Sequence, residues 1–161
     1  MASRRRRLDL LWVPADPERS LDPAAFDALR ARWADQGWLD RGPGAPAGGF
    51  SRLWLDQPGE ATVYANQVGG FQVRCPSEGG SIVPAFYAAV TAWRAGGARS
   101  LTCPACGAHH PLEALDFRPP AAIARGAVVL SDVGQATLSH QVRVELSAIT
   151  GPGRLILRRP G

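Results

Sequence analysis

The chain has 161 residues, a hydrophobic fraction of 45% and a formal net charge of +4. That length suits one domain, or one domain with a sizeable insertion, and it buries a core without disulfide staples. All 18 basic residues are arginine, which excludes Schiff-base lysine chemistry and a P-loop lysine reaching a phosphate.

Leu8 to Val13 is a compact apolar run ahead of the Pro14–Pro17 breaker and predicts a strand. Asp22-Pro23 is a helix start, because Asp accepts from free backbone N–H groups and Pro fits the first helical position. Phe26, Leu29 and Trp33 follow at helical spacing, and Gly37 is a natural stop. Arg41 to Gly49 reads as a loop. Phe50 to Asp56 alternates, with Leu53 and Leu55 on one face and Trp54 on the other. Thr62–Ala65 and Phe71–Arg74 predict short strands, the second running into Cys75.

Pro84 to Arg94 predicts a helix with Val83, Phe86, Tyr87, Val90 and Trp93 as its buried stripe, ended by Gly96-Gly97. Leu101-Thr102 leads into Cys103. Beyond Pro119-Pro120, Ala127–Leu130 predicts a buried strand, Leu138–Ile149 a helix and Arg154–Leu157 a strand. Leu138, Val142, Leu146 and Ile149 share one face of that helix. The two ends, about residues 7–56 and 122–159, each read strand–helix–strand. Joined, they give the ferredoxin-like βαββαβ order of an α+β sandwich. The expected division is a split α+β domain, 7–60 with 118–159, and an insert at 61–117.

The chemistry concentrates in the insert. Cys103-Pro104-Ala105-Cys106-Gly107 is a C-P-x-C-G knuckle, a tight turn that points two thiolates to one side. Cys75-Pro76-Ser77-Glu78-Gly79 has the same frame, with Glu78 in the place of the second cysteine. Three cysteines, two of them in C-x-x-C, suit a metal in a reducing cytoplasm better than a disulfide framework. Candidate ligands are Cys75, Cys103, Cys106, Glu78, His109 and His110, with zinc the expected ion if one is bound; the alternative is that the incomplete set keeps the turns and holds no metal. The fourth position is left among the two histidines, Glu78 and water. His109-His110 otherwise reads as a polar loop pair. A dithiol-redox reading is disfavoured, since no helix begins at Cys106.

The C-P-x-C-G knuckle resembles the zinc-ribbon family. The resemblance covers only the insert and implies a ribbon-like lobe with a structural zinc; Glu78 departs from a four-cysteine set. It implies no activity, because ribbons serve in many kinds of protein.

Elsewhere, H-E-x-x-H, G-x-S-x-G and dinucleotide glycine patterns are absent. Arg4, Arg5, Arg6 and Arg7 precede only a short apolar run and then Asp16 and Glu18, which does not read as a secretory leader. No segment has the apolar length of a membrane span, so no membrane partner is expected. The arginine-only bias, with abundant Ala, Gly and Pro, suits a GC-rich bacterial genome and weakens the link from basic charge to nucleic acid. Trp38 and Trp54 are the tryptophans expected to be exposed for a partner, together with Arg4–Arg7. The resulting expectation is a non-catalytic, cytoplasmic, protein-binding or adaptor protein with a zinc-ribbon-like lobe. Two other classes stay open: a nucleic-acid binder using the ribbon and the arginine-rich ends, and a metalloenzyme with an open zinc position at the three cysteines.

Overall fold

The computed structural model describes residues 8–39, 50–66, 70–133 and 137–159. Among them the chain is mixed α+β. Four strands, β1 (Asp9–Pro14), β2 (Arg52–Asp56), β9 (Ala127–Ser131) and β10 (Gly153–Arg158), form one sheet in the order β10-β1-β9-β2. Every neighbouring pair is antiparallel. Helices α1 (Pro23–Asp35) and α3 (His140–Thr150) cross over between parallel members of this set.

Local signals explain both helices. The Asp22 side chain accepts from the Ala24 N–H at 3.0 Å, and Ser139 accepts from the Val142 N–H at 3.3 Å. Such caps contribute about 1 kcal/mol each. Phe26, Leu29 and Trp33 of α1 and Val142 and Leu146 of α3 are buried against Leu10, Trp12, Leu53, Val128 and Leu130 of the sheet. Trp12 Nε1 donates to Thr150 Oγ1 at 2.9 Å, satisfying two buried polar groups at the end of α3.

Strand alternation sends the intervening residues to the opposite face. Leu11, Val13, Val129 and Ile156 there pack with Tyr64, Ala122 and Ala124. The last three come from a two-stranded ribbon of β3 (Thr62–Tyr64) and β8 (Ala122–Ala124). Ile123, one residue out of phase, faces the other way into a second core. That core lies among β4 (Gln72–Arg74), β5 (Ser100–Thr102), β6 (His109–Pro111), β7 (Asp116–Arg118) and α2 (Val83–Arg94). β4 pairs with β7, and β5 with β6.

Ion pairs fasten this second core to the first. Glu18, between β1 and α1, meets Arg99 at 2.7 Å and Arg125 at 3.1 Å. Arg99 also meets Glu113 at 3.2 Å.

The expectations for Trp38 and Tyr87 are corrected, and Trp54 is only partly exposed. Trp38 is buried, not exposed. Gly37 takes φ 72°, and the Trp38 N–H donates to the Trp33 carbonyl at 2.9 Å. This turn folds the indole back onto Trp33, with ring centroids 5.4 Å apart. Trp54 is half-buried on the second face, where its Nε1 donates to Ser131 Oγ at 3.0 Å. Conversely, Tyr87 lies outside the buried stripe of α2 and is 46% exposed. Val83, Phe86, Val90 and Trp93 centre that stripe, and Tyr87 falls at its margin against Phe86. Arg4–Arg7 and the Arg41–Gly49 loop lie outside the described residues.

Leu146→Ala is expected to cost about 2–5 kcal/mol, because it opens a cavity at a fully buried position. Val144→Ala, on the exposed side of the same helix, should stay within about 0.5 kcal/mol. Urea melts of the two variants check this contrast.

The hydrogen bonds from Arg99 and Arg125 hold the Glu18 carboxyl below its ordinary value. A carboxyl with a folded value below its unfolded one stabilises the fold above the ordinary carboxylate range. That contribution is lost as pH falls through the lowered value. Glu18→Gln should therefore melt lower than the parent chain at neutral pH, and the gap should close on acidification below the carboxylate range. Melting temperatures against pH test it.

Candidate metal centre

Strand β4 runs directly into Cys75, and β5 into Cys103. Each cysteine opens the same turn. The Cys75 N–H donates to the Gly80 carbonyl at 2.9 Å, and the Gly79 N–H returns to the Cys75 carbonyl at 2.8 Å. In the second turn the Cys103 N–H donates to Ala108 at 2.8 Å, and the Gly107 N–H to Cys103 at 2.9 Å. Gly79 and Gly107 adopt left-handed φ values of 78° and 74°. A side chain there would meet its own backbone, which is why glycine closes both turns. The two frames thus match in backbone, and the difference lies in Glu78 against Cys106.

The turns converge. The sulfurs of Cys75, Cys103 and Cys106 lie within 4.8 Å of one another, and Cys75 Sγ is 3.7 Å from Cys106 Sγ. Cys75 and Cys103 are buried and Cys106 is exposed; none is in a disulfide. Burial by itself would raise the Cys75 thiol. The backbone N–H groups of Glu78 and Ser77, with Cys103 and His110 beside it, outweigh that and bring it down to about 6. At Cys106 the Ala108 N–H pulls downward, but burial and the neighbouring sulfurs of Cys103 and Cys75 prevail and raise it. Thiolates are the metal-binding form of cysteine, and the hydrogen bonds around Cys75 favour that form there. The three side chains lie close enough together that they could hold a metal ion.

The other candidates separate. His110 Nε2 is 3.6 Å from Cys75 Sγ and 3.4 Å from Ser77 Oγ. His109 faces away, with its Nδ1 3.3 Å from Thr102 Oγ1 on the exposed side. The Glu78 carboxyl rests over Gly80, in the space that a Cβ there would need.

His109 and His110 form strand β6 and are not a polar loop, which corrects the reading of that pair. A knuckle sits at the tip of a hairpin, so the residues after Gly107 must return antiparallel to β5. That logic was available from Cys103-to-Gly107 itself. It also predicts that two adjacent histidines point to opposite faces.

These features define the class: an α+β chain whose two matching hairpin turns bring three cysteines together as a candidate metal centre. No protein-family profile, no curated protein and no solved structure matches the chain.

The trio predicts one metal ion per chain. Cys103→Ser should abolish it and lower the melting temperature by several degrees, about the shift expected when a fold-linked ion is lost. A chelator should then change the parent's melt but not the variant's. Elemental analysis and melts with and without chelator provide the check.

Proposed function

We propose that this is a partner-binding protein without turnover of its own. Zinc held by Cys75, Cys103 and Cys106 fastens a ribbon-like lobe onto a ferredoxin-like α+β sandwich. Three thiolates favour a soft, tetrahedral ion over magnesium or calcium. The β10-β1-β9-β2 order with its two crossover helices supports the ferredoxin-like reading. The two like turns at hairpin ends support the ribbon reading. Three unpaired cysteines suit a reducing bacterial cytoplasm. No helix among the described residues is long and apolar enough to cross a membrane.

The observation that carries the proposal is the outward face of α2. Its inner stripe, including Phe86 and Trp93, packs on the core that also buries Cys75 and Cys103. Its outer side exposes Pro84, Tyr87, Ala88, Thr91 and Ala92. The one charged side chain of this helix is Arg94, in its last turn. An uncharged stripe with an aromatic anchor, backed by a fixed core, is the chemistry of a protein contact. It offers little to phosphates. The arginines beside it, Arg99 and Arg125, are engaged by Glu18 and Glu113 and do not stand as free cations. This favours a protein partner over a nucleic acid.

A photo-crosslinking residue placed at Ala88 should capture one discrete protein in the native cell, and the same residue at Val144 should not. Ala88→Glu should weaken that complex at least about tenfold, the effect of an uncompensated carboxylate in an apolar contact, while leaving the fold and the metal content intact. Crosslinks to nucleic acid, or capture that Ala88→Glu leaves unchanged, would overturn the proposal. A cobalt-substituted chain with a five-coordinate spectrum responsive to small anions would favour a metalloenzyme instead.

A further inference from the structure

We infer that His110 is the fourth ligand, so that the centre is a closed set of three thiolates and one imidazole. This inference rests on the metal-binding reading of the cysteine trio.

The argument begins with strand geometry. In β6, His109 pairs with Thr102 and His110 pairs with Leu101. Directly paired residues share a face of the ribbon. Thr102 is exposed and Leu101 is buried in the second core. His109 is therefore held on the outside, and His110 on the side where Cys75 and Cys103 are buried. The contacts agree: Thr102 Oγ1 for His109, and Cys75 Sγ for His110.

Distances give a second, independent line. A tetrahedral zinc with sulfur at about 2.3 Å and nitrogen at about 2.05 Å has ligand edges of about 3.8 Å between sulfurs and about 3.6 Å between sulfur and nitrogen. The Cys75–Cys106 separation is 3.7 Å and the Cys75–His110 separation is 3.6 Å. Two of the three edges that would meet at Cys75 already have the lengths of a zinc tetrahedron. The imidazole reaches the trio at Cys75, but it does not lie within 4.8 Å of all three sulfurs, so completing the set requires the half-buried ring to move toward Cys103 and Cys106. Ser77 Oγ lies 3.4 Å from the same nitrogen, within hydrogen-bond distance of it.

Glu78 stands in the cysteine position of the first knuckle, yet its carboxyl lies over Gly80. Carboxylate is also the less usual companion of three thiolates in structural zinc sites. The first knuckle thus supplies one ligand, the second supplies two, and the strand returning from the second knuckle replaces the missing thiolate. Four protein ligands leave no coordination position for substrate or water, which fits a structural role.

Cobalt and zinc binding to the full chain, followed by visible absorption and competition with a chromogenic chelator, tests this. The parent, His109→Ala and Glu78→Gln should each bind one ion with the same tetrahedral spectrum. His110→Ala should lose affinity by about 100-fold or more, at or beyond the upper end of what disturbing an outer-sphere partner costs. Its residual spectrum should respond to added anions through the opened position. His110→Cys should restore tight binding with a spectrum shifted to four-thiolate character, which separates ligand loss from misfolding. Unchanged affinity and spectrum in His110→Ala, or loss in Glu78→Gln or His109→Ala, would overturn the assignment while the trio itself stood. Failure of the parent chain to bind an ion, or binding that survives Cys103→Ser, would overturn the metal reading and this inference with it.

Discussion

A sheet has two faces, and in this protein both are buried. Helices α1 and α3 cover one face through Trp33, Leu29 and Leu146. The other face carries Leu11, Val13, Val129 and Ile156, which would be an exposed apolar surface without a cover. The β3–β8 ribbon supplies that cover with Tyr64, Ala122 and Ala124. Small side chains at the two alanines let the ribbon backbone approach the sheet closely. The second core depends on this contact as well, because Ile123 of β8 packs into it while Ala122 and Ala124 face the sheet.

The second core shows how little each piece holds alone. Its three ribbons have strands of three residues each, well short of what stands independently in water. They persist because Phe86, Phe117, Leu112 and Ile82 fill one shared interior, with Phe86 edge-on to Phe117 at 5.4 Å. A metal ion at Cys75, Cys103 and Cys106 would tie β4 to β5, two strands that do not pair with each other. That is where a small core gains most from a cross-link, since such an ion is bound by the folded chain and scarcely by the unfolded one. The Glu18–Arg99–Glu113 arrangement acts at the other end of β5, with weaker, partly exposed charges that tie the second core to the first.

The arginine content takes on a different meaning in this setting. Sequence-wide, a basic balance suggests phosphates. Arg32 meets Glu145, Arg99 meets Glu18 and Glu113, Arg118 meets Asp116 and Arg125 meets Glu18. All but the Arg118–Asp116 pair, which lies within β7, join separate parts of the fold to one another. The helix that faces outward from the cysteine-bearing core is, by contrast, almost uncharged.

Much of the molecule is legible in the residues themselves where the physics is local. The cap at Asp22, the glycine that ends α1, the alternation of Leu53, Trp54 and Leu55, and the matching frames that begin at Cys75 and Cys103 all act within a few residues; the Ser139 cap, which starts α3 two residues later than the expected Leu138, emerged only from the structure. The helix and strand segments at both ends follow from them. Three things waited on tertiary structure. The burial of Trp38 depends on Trp33 being a turn away on a packed helix. The exposure of Tyr87 depends on which side of α2 meets Phe117. The distinction between His109 and His110 depends on β6 pairing with β5, since adjacent residues in an unpaired segment have no defined sides. The sequence by itself determined which residues could be ligands and where the chain must turn, because those are properties of side-chain chemistry and single backbone angles. Only the tertiary structure decided which candidates meet, because Cys75 reaches Cys103 and His110 through packing between hairpins that no local rule brings together.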